Sequence, residues 1–233
     1  MAAVNYHERR GQLQTYFDRT AVEAWARLTS TAPVGRIRAT VRAGRDRMRT
    51  TLLGFLPAEL AGRRLLDAGC GTGAFSVEAA RRGAHVVAID LSPTLVQLAR
   101  ERLPATLAAG NIDFRVGDMS DAGLGDFDHV VAMDSLIHYR ADDVVRVLAG
   151  LAARTRHSIV FTFAPRTPAL AAMHAVGRLF PRGDRAPAIE PVAEDALRAR
   201  IAAEPALAGW RIGRSERIAS GFYKSQAMEL SKT

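Results

Sequence analysis

The chain has 233 residues, of which 48% are hydrophobic and 24% charged, a composition that excludes disorder as the main state and suits one domain with a sizeable core. No apolar run approaches the roughly 20 residues that span a bilayer, and the first residues lack the apolar segment of a secretory signal. The single cysteine, Cys70, excludes a disulfide framework and a Cys-x-x-Cys zinc site. We therefore expect a soluble, cytoplasmic protein.

The charge is strongly basic and unevenly distributed. The formal net charge is +8, and of the 32 lysines and arginines only Lys224 and Lys232 are lysines. Residues 1–60 carry ten arginines against five acidic residues. Such an excess is typical of proteins that bind nucleic acid or another anionic surface. A GC-rich genome and a solvated helix face would produce the same bias, so the charge alone does not assign a partner.

Residues 1–60 are predicted to form a helical arm or lid. Apolar residues recur at helical spacing at Ile37, Val41, Met48, Leu52 and Phe55. Arginines fill most positions between them: Arg36, Arg38, Arg42, Arg45, Arg47 and Arg49. The pattern predicts an amphipathic helix with a basic polar face.

From residue 61 to the end, strand and helix patterns alternate, which predicts an α/β domain with a mainly parallel sheet. The predicted strands are 63–69, 85–90, 112–118, 127–134 and 157–165. The predicted helices are 74–83, one that begins at Ser92-Pro93, and 142–153. Segments 210–218 and 222–230 predict a closing antiparallel hairpin. Segment 166–190, with a predicted helix at 170–180, interrupts the alternation and is predicted to be an insertion over the carboxyl edge of the sheet.

The first predicted strand runs into a glycine-rich turn. Gly69, Gly71 and Gly73 follow it before a helical pattern begins, and glycines let the backbone approach a ligand closely. Asp67 stands before the first glycine, where it would repel a pyrophosphate and suit an ammonium group. Dinucleotide binding remains an alternative, although the Gly-x-Gly-x-x-Gly spacing of that motif is absent.

Polar residues also end the next predicted strands. Asp90 is placed to accept hydrogen bonds from both hydroxyls of a ribose, and Asp118 to accept one from an exocyclic amine, while Met119 could cover a base. Leu91 and Asp134 are assigned to the same cofactor site. Together with the acid before the glycines, this set resembles the S-adenosylmethionine site of class I methyltransferases. That resemblance implies a Rossmann-like, seven-stranded, mostly parallel sheet.

The residues after the fourth predicted strand bear on the methyl acceptor. Nucleic-acid N-methyltransferases usually carry Asn/Asp-Pro-Pro-Phe/Tyr there, to hold a base. Residues 133–139 read Met-Asp-Ser-Leu-Ile-His-Tyr instead. We therefore expect a small-molecule acceptor and no nucleic-acid partner.

Longer motifs narrow the resemblance. The sequence is similar to the magnesium-protoporphyrin IX O-methyltransferases of bacteriochlorophyll synthesis at residues 15–25, 67–92, 133–139, 158–168, 177–181 and 222–225. The resemblance implies methyl transfer from S-adenosylmethionine to one propionate carboxylate of Mg-protoporphyrin IX, which gives the monomethyl ester. Magnesium would enter only inside this substrate, so no metal site is expected. The resemblance also implies a link to magnesium chelatase, with its large subunit as the candidate partner, and to the photosynthetic membrane. Our hypothesis is that the basic helix face meets one of these two, the anionic membrane or the chelatase.

The implied chemistry suggests roles for polar residues. A propionate resembles the side chain of glutamate, with a pKa of about 4.3, and is already ionised at neutral pH, so no strong base is required. His138 is predicted to hydrogen-bond and orient this carboxylate, and Tyr16 on the arm is the second catalytic candidate; both could instead be structural. Predicted substrate contacts are Arg166, Arg178, Arg182, Tyr139 and Tyr223.

Two other functions remain open from the sequence. One is an O-methyltransferase for another apolar acid or phenol, such as a quinone precursor. The other is a non-catalytic scaffold that keeps S-adenosylmethionine as a structural ligand.

Overall fold

A computed structural model describes residues 6–19, 35–107, 110–166 and 189–233. The predicted helix 170–180 and most of the predicted insertion lie outside these residues. The described α-helices are α1 Tyr6–Arg19, α2 Arg36–Phe55, α3 Ala74–Arg81, α4 Pro93–Glu101, α5 Ala141–Ala152 and α6 Glu194–Ala203. The described strands are β1 Arg64–Ala68, β2 His85–Asp90, β3 Asn111–Val116, β4 Phe127–Ala132, β5 Thr155–Phe163, β6 Trp210–Ser220 and β7 Tyr223–Lys232.

The described strands form one sheet of seven in the order β3-β2-β1-β4-β5-β7-β6. Strands β1 to β5 are parallel to one another, whereas β7 runs antiparallel to both β5 and β6. This topology confirms the predicted Rossmann-like α/β fold with its closing hairpin. Four predicted strands overrun the observed carboxyl ends by one or two residues. The residues beyond the observed ends do not pair with a neighbouring strand. They form turns at the carboxyl edge of the sheet, where their side chains can build a site.

Alternation along the buried strands divides the core between the two faces of the sheet. Leu66 and Ile89 pack on one face, and Leu65 and Ala88 on the other. Helix α6 was not predicted from the sequence. Only two residues of that helix are buried, so its hydrophobic pattern is weak.

Helix α2 packs on the face of the sheet that carries Leu65 and Ala88. Met48 and Leu52 are fully buried there, and a Cβ at Gly44 would lie 2.5 Å from the ring of Tyr223, so glycine permits this close packing. At the end of the helix, Arg214 Nη1 donates to the carbonyl of Gly54 at 2.9 Å and satisfies an orphan acceptor. Helix α2, which belongs to the predicted arm, is therefore packed against the core by its apolar face. No helix in the described ranges is long and apolar enough to cross a membrane.

Candidate active site

A cavity of about 760 Å³ opens at the carboxyl edge of the parallel strands, where α/β proteins usually bind ligands. The turns after β1, β2, β3 and β4 supply most of its wall, and residues of α1, α2, α3 and α4 complete it. Predicted site residues that line it are Asp67, Gly69, Gly71, Asp90, Leu91, Asp118, Met119, Asp134, His138 and Tyr139. The structure thus brings together predicted residues from four separate parts of the sequence.

The glycine turn after β1 is held against β2. Gly69 has a φ of +88°, and a Cβ added there would lie 2.4 Å from the Cβ of Ser135. The Gly69 and Cys70 amides donate to the carbonyl of Ile89 at 2.8 and 3.0 Å. Gly73, with a φ of +76°, begins α3. Position 69 therefore requires glycine, both for its backbone conformation and because the turn after β4 approaches it closely.

Asp67 is a buried acid at the floor of the cavity, with 1% of its surface exposed. Burial raises its pKa to about 7, the Ser76 hydroxyl opposes this by donating to Oδ2 at 2.5 Å, and the charge of Asp90 adds to it. A cation bound in the cavity would stabilise the ionised form. The arrangement suits an ammonium group.

Two further acids line the cavity after β2 and β3. Asp90 accepts hydrogen bonds from the amides of Gly71 at 2.8 Å and Ser92 at 3.0 Å, while its burial raises its pKa. Asp118 accepts from the Ser120 amide and hydroxyl and from Nη1 of Arg10 on α1, at 2.7–2.8 Å. Ionised carboxylates have about four acceptor sites, so both acids can also accept from hydroxyl or amine groups of a ligand.

Asp134, the first turn residue after Met133, has a φ of +55° and is the non-glycine residue with positive φ in the described part of the chain. Its carboxylate pairs with Arg45 at 2.7 Å and accepts from the hydroxyls of Tyr223 at 3.0 Å and Ser225 at 3.3 Å. Burial and this carboxylate raise the pKa of Tyr223, which stays a protonated donor. Asp134 and Tyr223 thus bind each other and other protein groups. The roles predicted for them, contact with the cofactor and with the substrate respectively, remain predictions.

His138 ends a short helical turn, Leu136–His138, and is 8% exposed at the cavity wall. Tyr139 beside it is also buried. Ser135 was missed by the sequence reasoning. Its buried Oγ lies against the glycine turn and has no hydrogen-bond partner among the described residues. Since an unpaired buried hydroxyl is costly, this atom is consistent with a polar ligand in the cavity.

The remaining predicted site residues lie apart from the cavity or outside the described chain. Tyr16 is half-buried on α1 and is not among the lining residues, whereas Leu13 of the same helix is. Arg166 is exposed just after β5, and its amide donates to the carbonyl of Val192 at 2.9 Å. Arg178 and Arg182 lie outside the described residues.

Helix α2 contributes cavity residues that the sequence reasoning assigned to an outer basic face. Arg42, Arg45 and Arg49 line the cavity, whereas Arg38 and Arg47 are exposed. The three lining arginines are spaced i, i+3 and i+7, the signal that would have placed them on one side of the helix. In the described ranges, no group of three or more His, Cys, Asp or Glu residues is placed to hold a metal ion.

Taken by their chemistry, the lining groups fit a nucleoside with a cationic tail. The glycine turn admits close approach, the acid beneath it faces a cation, and two carboxylates stand ready for hydroxyls and an amine. Two family models match the chain: "Methyltransferase domain" over residues 65–158 and "Magnesium-protoporphyrin IX methyltransferase C-terminus" over residues 132–232.

Comparison with known proteins agrees with these matches. The chain is 51% identical to magnesium-protoporphyrin O-methyltransferase of Rhodobacter capsulatus, over 97% of each sequence. It is 31% identical to the chloroplastic magnesium protoporphyrin IX methyltransferase of Arabidopsis thaliana, over 93% of this chain and 69% of that one. The crystal structure of magnesium protoporphyrin IX methyltransferase from Synechocystis PCC 6803 with bound SAH superposes with a TM-score of 0.83 at 27% identity, covering 96% of this chain and all of that one. The chain therefore belongs to the magnesium-protoporphyrin O-methyltransferase family.

Proposed function

We propose that this protein transfers a methyl group from S-adenosylmethionine to a propionate carboxylate of Mg-protoporphyrin IX and so forms the monomethyl ester. The observation that carries the proposal is the single cavity in which the glycine turn, the buried acids and His138 meet. Family membership supports the choice of both substrates. Magnesium is part of the porphyrin.

The cofactor end of the cavity is the wall formed by the turns after β1, β2 and β3. S-adenosylmethionine supplies an electrophilic methyl group on a sulfonium. Asp67 would face the ammonium of its amino-acid tail and Asp90 its ribose hydroxyls, while Asp118 and Met119 would contact the base. Each of these residues lines the cavity, and burial of the first two strengthens their interactions with a cation or a donor.

His138 and its neighbours would receive the acceptor. The propionate is already a carboxylate, so the work of the protein is to align its oxygen with the methyl group and to exclude water. A buried imidazole at the wall can donate one hydrogen bond to the carboxylate and fix its orientation. The hydroxyl of Ser135 can donate to the same ligand or to its neighbour in the cavity.

Helix α1 would act as a cover over the cofactor end. Arg10 reaches Asp118 at 2.8 Å, and Arg9 pairs with Glu190 at 2.9 Å, so two ion pairs hold the helix across the site. Tyr16 on this helix would contact the ligands when the cover is closed. We accordingly propose that residues 1–60 form the arm that completes the site and residues 61–233 form the methyltransferase domain.

The function is tested with purified protein, S-adenosylmethionine labelled on its methyl group and Mg-protoporphyrin IX. Chromatography should show the label in a porphyrin ester, and hydrolysis with base should release it. A quinone-precursor phenol in place of the porphyrin tests the other acceptor class. Cofactor binding without transfer to either acceptor would contradict the proposal and favour a non-catalytic scaffold.

An exposed patch near the start of α2 would bring the protein to a surface. Ile37 is 59% exposed and Phe222 57%, and the Ser220 hydroxyl donates to the carbonyl of Thr40 at 2.9 Å, which joins the two segments that carry them. On the helix, the exposed Arg36 and Arg38 flank Ile37. We propose peripheral association with an anionic membrane, since apolar side chains beside cations are typical of interfacial binding.

Vesicle co-sedimentation tests this association. Arg36→Gln/Arg38→Gln should release the protein from anionic vesicles, and a pair of exposed arginines elsewhere, Arg115→Gln/Arg146→Gln, should not. Unchanged binding in the first variant would contradict the membrane proposal. Capture of the large subunit of magnesium chelatase by wild-type protein, lost in that variant, would assign the patch to this partner instead.

A further inference from the structure

We propose that Arg45, flanked by Arg42 and Arg49, binds the propionate of the porphyrin that is not methylated. These three residues are called the arginine row. The inference rests on the proposed function for the identity of the acceptor. It assigns carboxylate recognition to α2 rather than to the predicted insertion.

The arginine row is a continuous feature of the cavity wall. Its members lie on one face of α2 and line the cavity that also contains His138. Arg45 and Arg49 keep 20% and 27% of their side-chain surface exposed, so their charges are partly desolvated and still open to the cavity. Partial desolvation strengthens the attraction of a guanidinium for a carboxylate.

Arg45 is the best oriented member. Asp134 holds it at 2.7 Å. Hydroxyls of Tyr223 and Ser225 on β7 and of Thr162 on β5 donate to this carboxylate at 3.0–3.3 Å and fix it in turn. A guanidinium has five N–H donors in a rigid fork, so the ion pair with Asp134 fixes the plane in which Arg45 meets a carboxylate. Asp134 acts here as a positioning residue.

The two ends of the cavity are opposite in charge. Asp67, Asp90 and Asp118 stand at the cofactor end. On the α2 wall the three arginines face two acids, Asp46 paired with Arg49 and Asp134 paired with Arg45, so positive charge remains in excess there. A carboxylate ligand is repelled by the first group and attracted by the second, whereas an ammonium group behaves in the opposite way. This difference in charge favours the ammonium and sulfonium of the cofactor at one end of the cavity and the carboxylates of the acceptor at the other.

The chemistry indicates which propionate the arginine row binds. The reacting carboxylate loses its charge on methylation, so a charged fork on it would stabilise the reactant more than the transition state. The other carboxylate stays ionised throughout and is stabilised equally at every stage. Binding of that group lowers KM without changing kcat.

The test compares Arg45→Gln and Arg42→Gln with Arg47→Gln, an exposed arginine on the same helix. Fluorescence titration in the presence of S-adenosylhomocysteine measures binding of Mg-protoporphyrin IX, its monomethyl ester and its dimethyl ester. A lost charge-assisted hydrogen bond should weaken binding of the first two ligands about 10- to 100-fold in Arg45→Gln. Binding of the dimethyl ester should stay within about 3-fold, and Arg47→Gln should match wild type for all three.

In turnover, Arg45→Gln should raise KM for the porphyrin and leave kcat nearly unchanged. Equal loss of affinity for all three porphyrins, or a fall in kcat alone, would overturn the assignment. If Arg45→Gln fails to fold or loses S-adenosylhomocysteine, Arg42→Gln decides by the same comparison with an expected loss of about 3- to 10-fold. Wild-type protein that binds the diacid selectively but forms no ester would refute the proposed function and leave the arginine row supported.

Discussion

The cofactor end and the arginine row are built in different ways. The cofactor end comes from three consecutive strand–turn units, and its groups are buried among backbone amides. The arginine row comes from a helix that precedes the sheet in the sequence and reaches the cavity only because α2 packs on β6 and β7. Local backbone geometry therefore fixes one end, and long-range packing fixes the other. Changes at the cofactor end should affect all turnover, and changes at the arginine row should affect only the acceptor.

The largest effect is expected at Gly69. Gly69→Ala adds a Cβ at 2.4 Å from that of Ser135, in a backbone region where side chains are strained, so the turn must move. We expect kcat/KM to fall about 100-fold or more, because misplacement of about 1 Å can cost that much. The control is Gly54→Ala, whose Cβ meets nothing within 4 Å. It should retain activity and unfold at a slightly higher temperature, since alanine favours helix.

Asp67→Asn tests the charge of the cofactor end with little change of shape. Loss of the carboxylate should weaken S-adenosylmethionine binding about 10- to 30-fold by isothermal titration, the scale of a hydrogen bond to a charged group. In the wild type, the affinity should rise with pH and level off above about 7, where Asp67 is ionised. The variant should show no such rise. A wild-type profile that is flat across this range would contradict the assignment.

The same residue makes an opposite prediction for the stability of the free protein. Its pKa is raised from 3.8 to about 7, so the folded state binds more protons than the unfolded state between these values. The stabilisation linked to this proton is complete below the lower value and is lost as the pH rises through the upper one. Thermal unfolding should therefore show Asp67→Asn gaining stability relative to wild type as the pH rises from 4 to 7. If the difference in stability between Asp67→Asn and wild type did not change with pH, burial would not raise the pKa of Asp67.

How far these two ends could be predicted from sequence follows from how they are built. The glycines and acids of the cofactor end lie within one strand–turn unit each, so spacing alone indicated them, and the topology confirms the sheet that aligns them. The amphipathic pattern of α2 was also recognised. Which cavity its basic face meets depends on Gly44 contacting Tyr223, two residues far apart in sequence, and no local pattern encodes that contact. The role of Ser135 was hidden for the same reason, because its neighbour is the turn after β1.

His138 lines the same cavity and should affect the chemical step. His138→Ala removes the imidazole that we propose as a donor to the acceptor carboxylate, and we expect kcat to fall about 10-fold, on the lower side of effects for groups that transfer or share a proton. His138→Gln keeps a donor of similar reach and should recover part of the loss. Porphyrin binding should change little. A variant with wild-type turnover would show that the imidazole is structural, and His129, buried on β4 away from the cavity wall, is the control for loss of a buried histidine.

The smallest effect is expected at Tyr223, which contacts neither end directly but anchors Asp134. Tyr223→Phe keeps the ring against Gly44 and removes the hydroxyl that donates to the carboxylate at 3.0 Å. Unfolding should become easier by about 1 kcal/mol, the usual cost of one hydrogen bond. The remaining partners of Asp134 hold Arg45 less firmly, so KM for the porphyrin should rise about 2- to 5-fold while cofactor affinity and kcat stay unchanged. Because a general loss of stability would lower cofactor binding as well, a rise confined to the porphyrin KM would show that the hydroxyl acts through the arginine row.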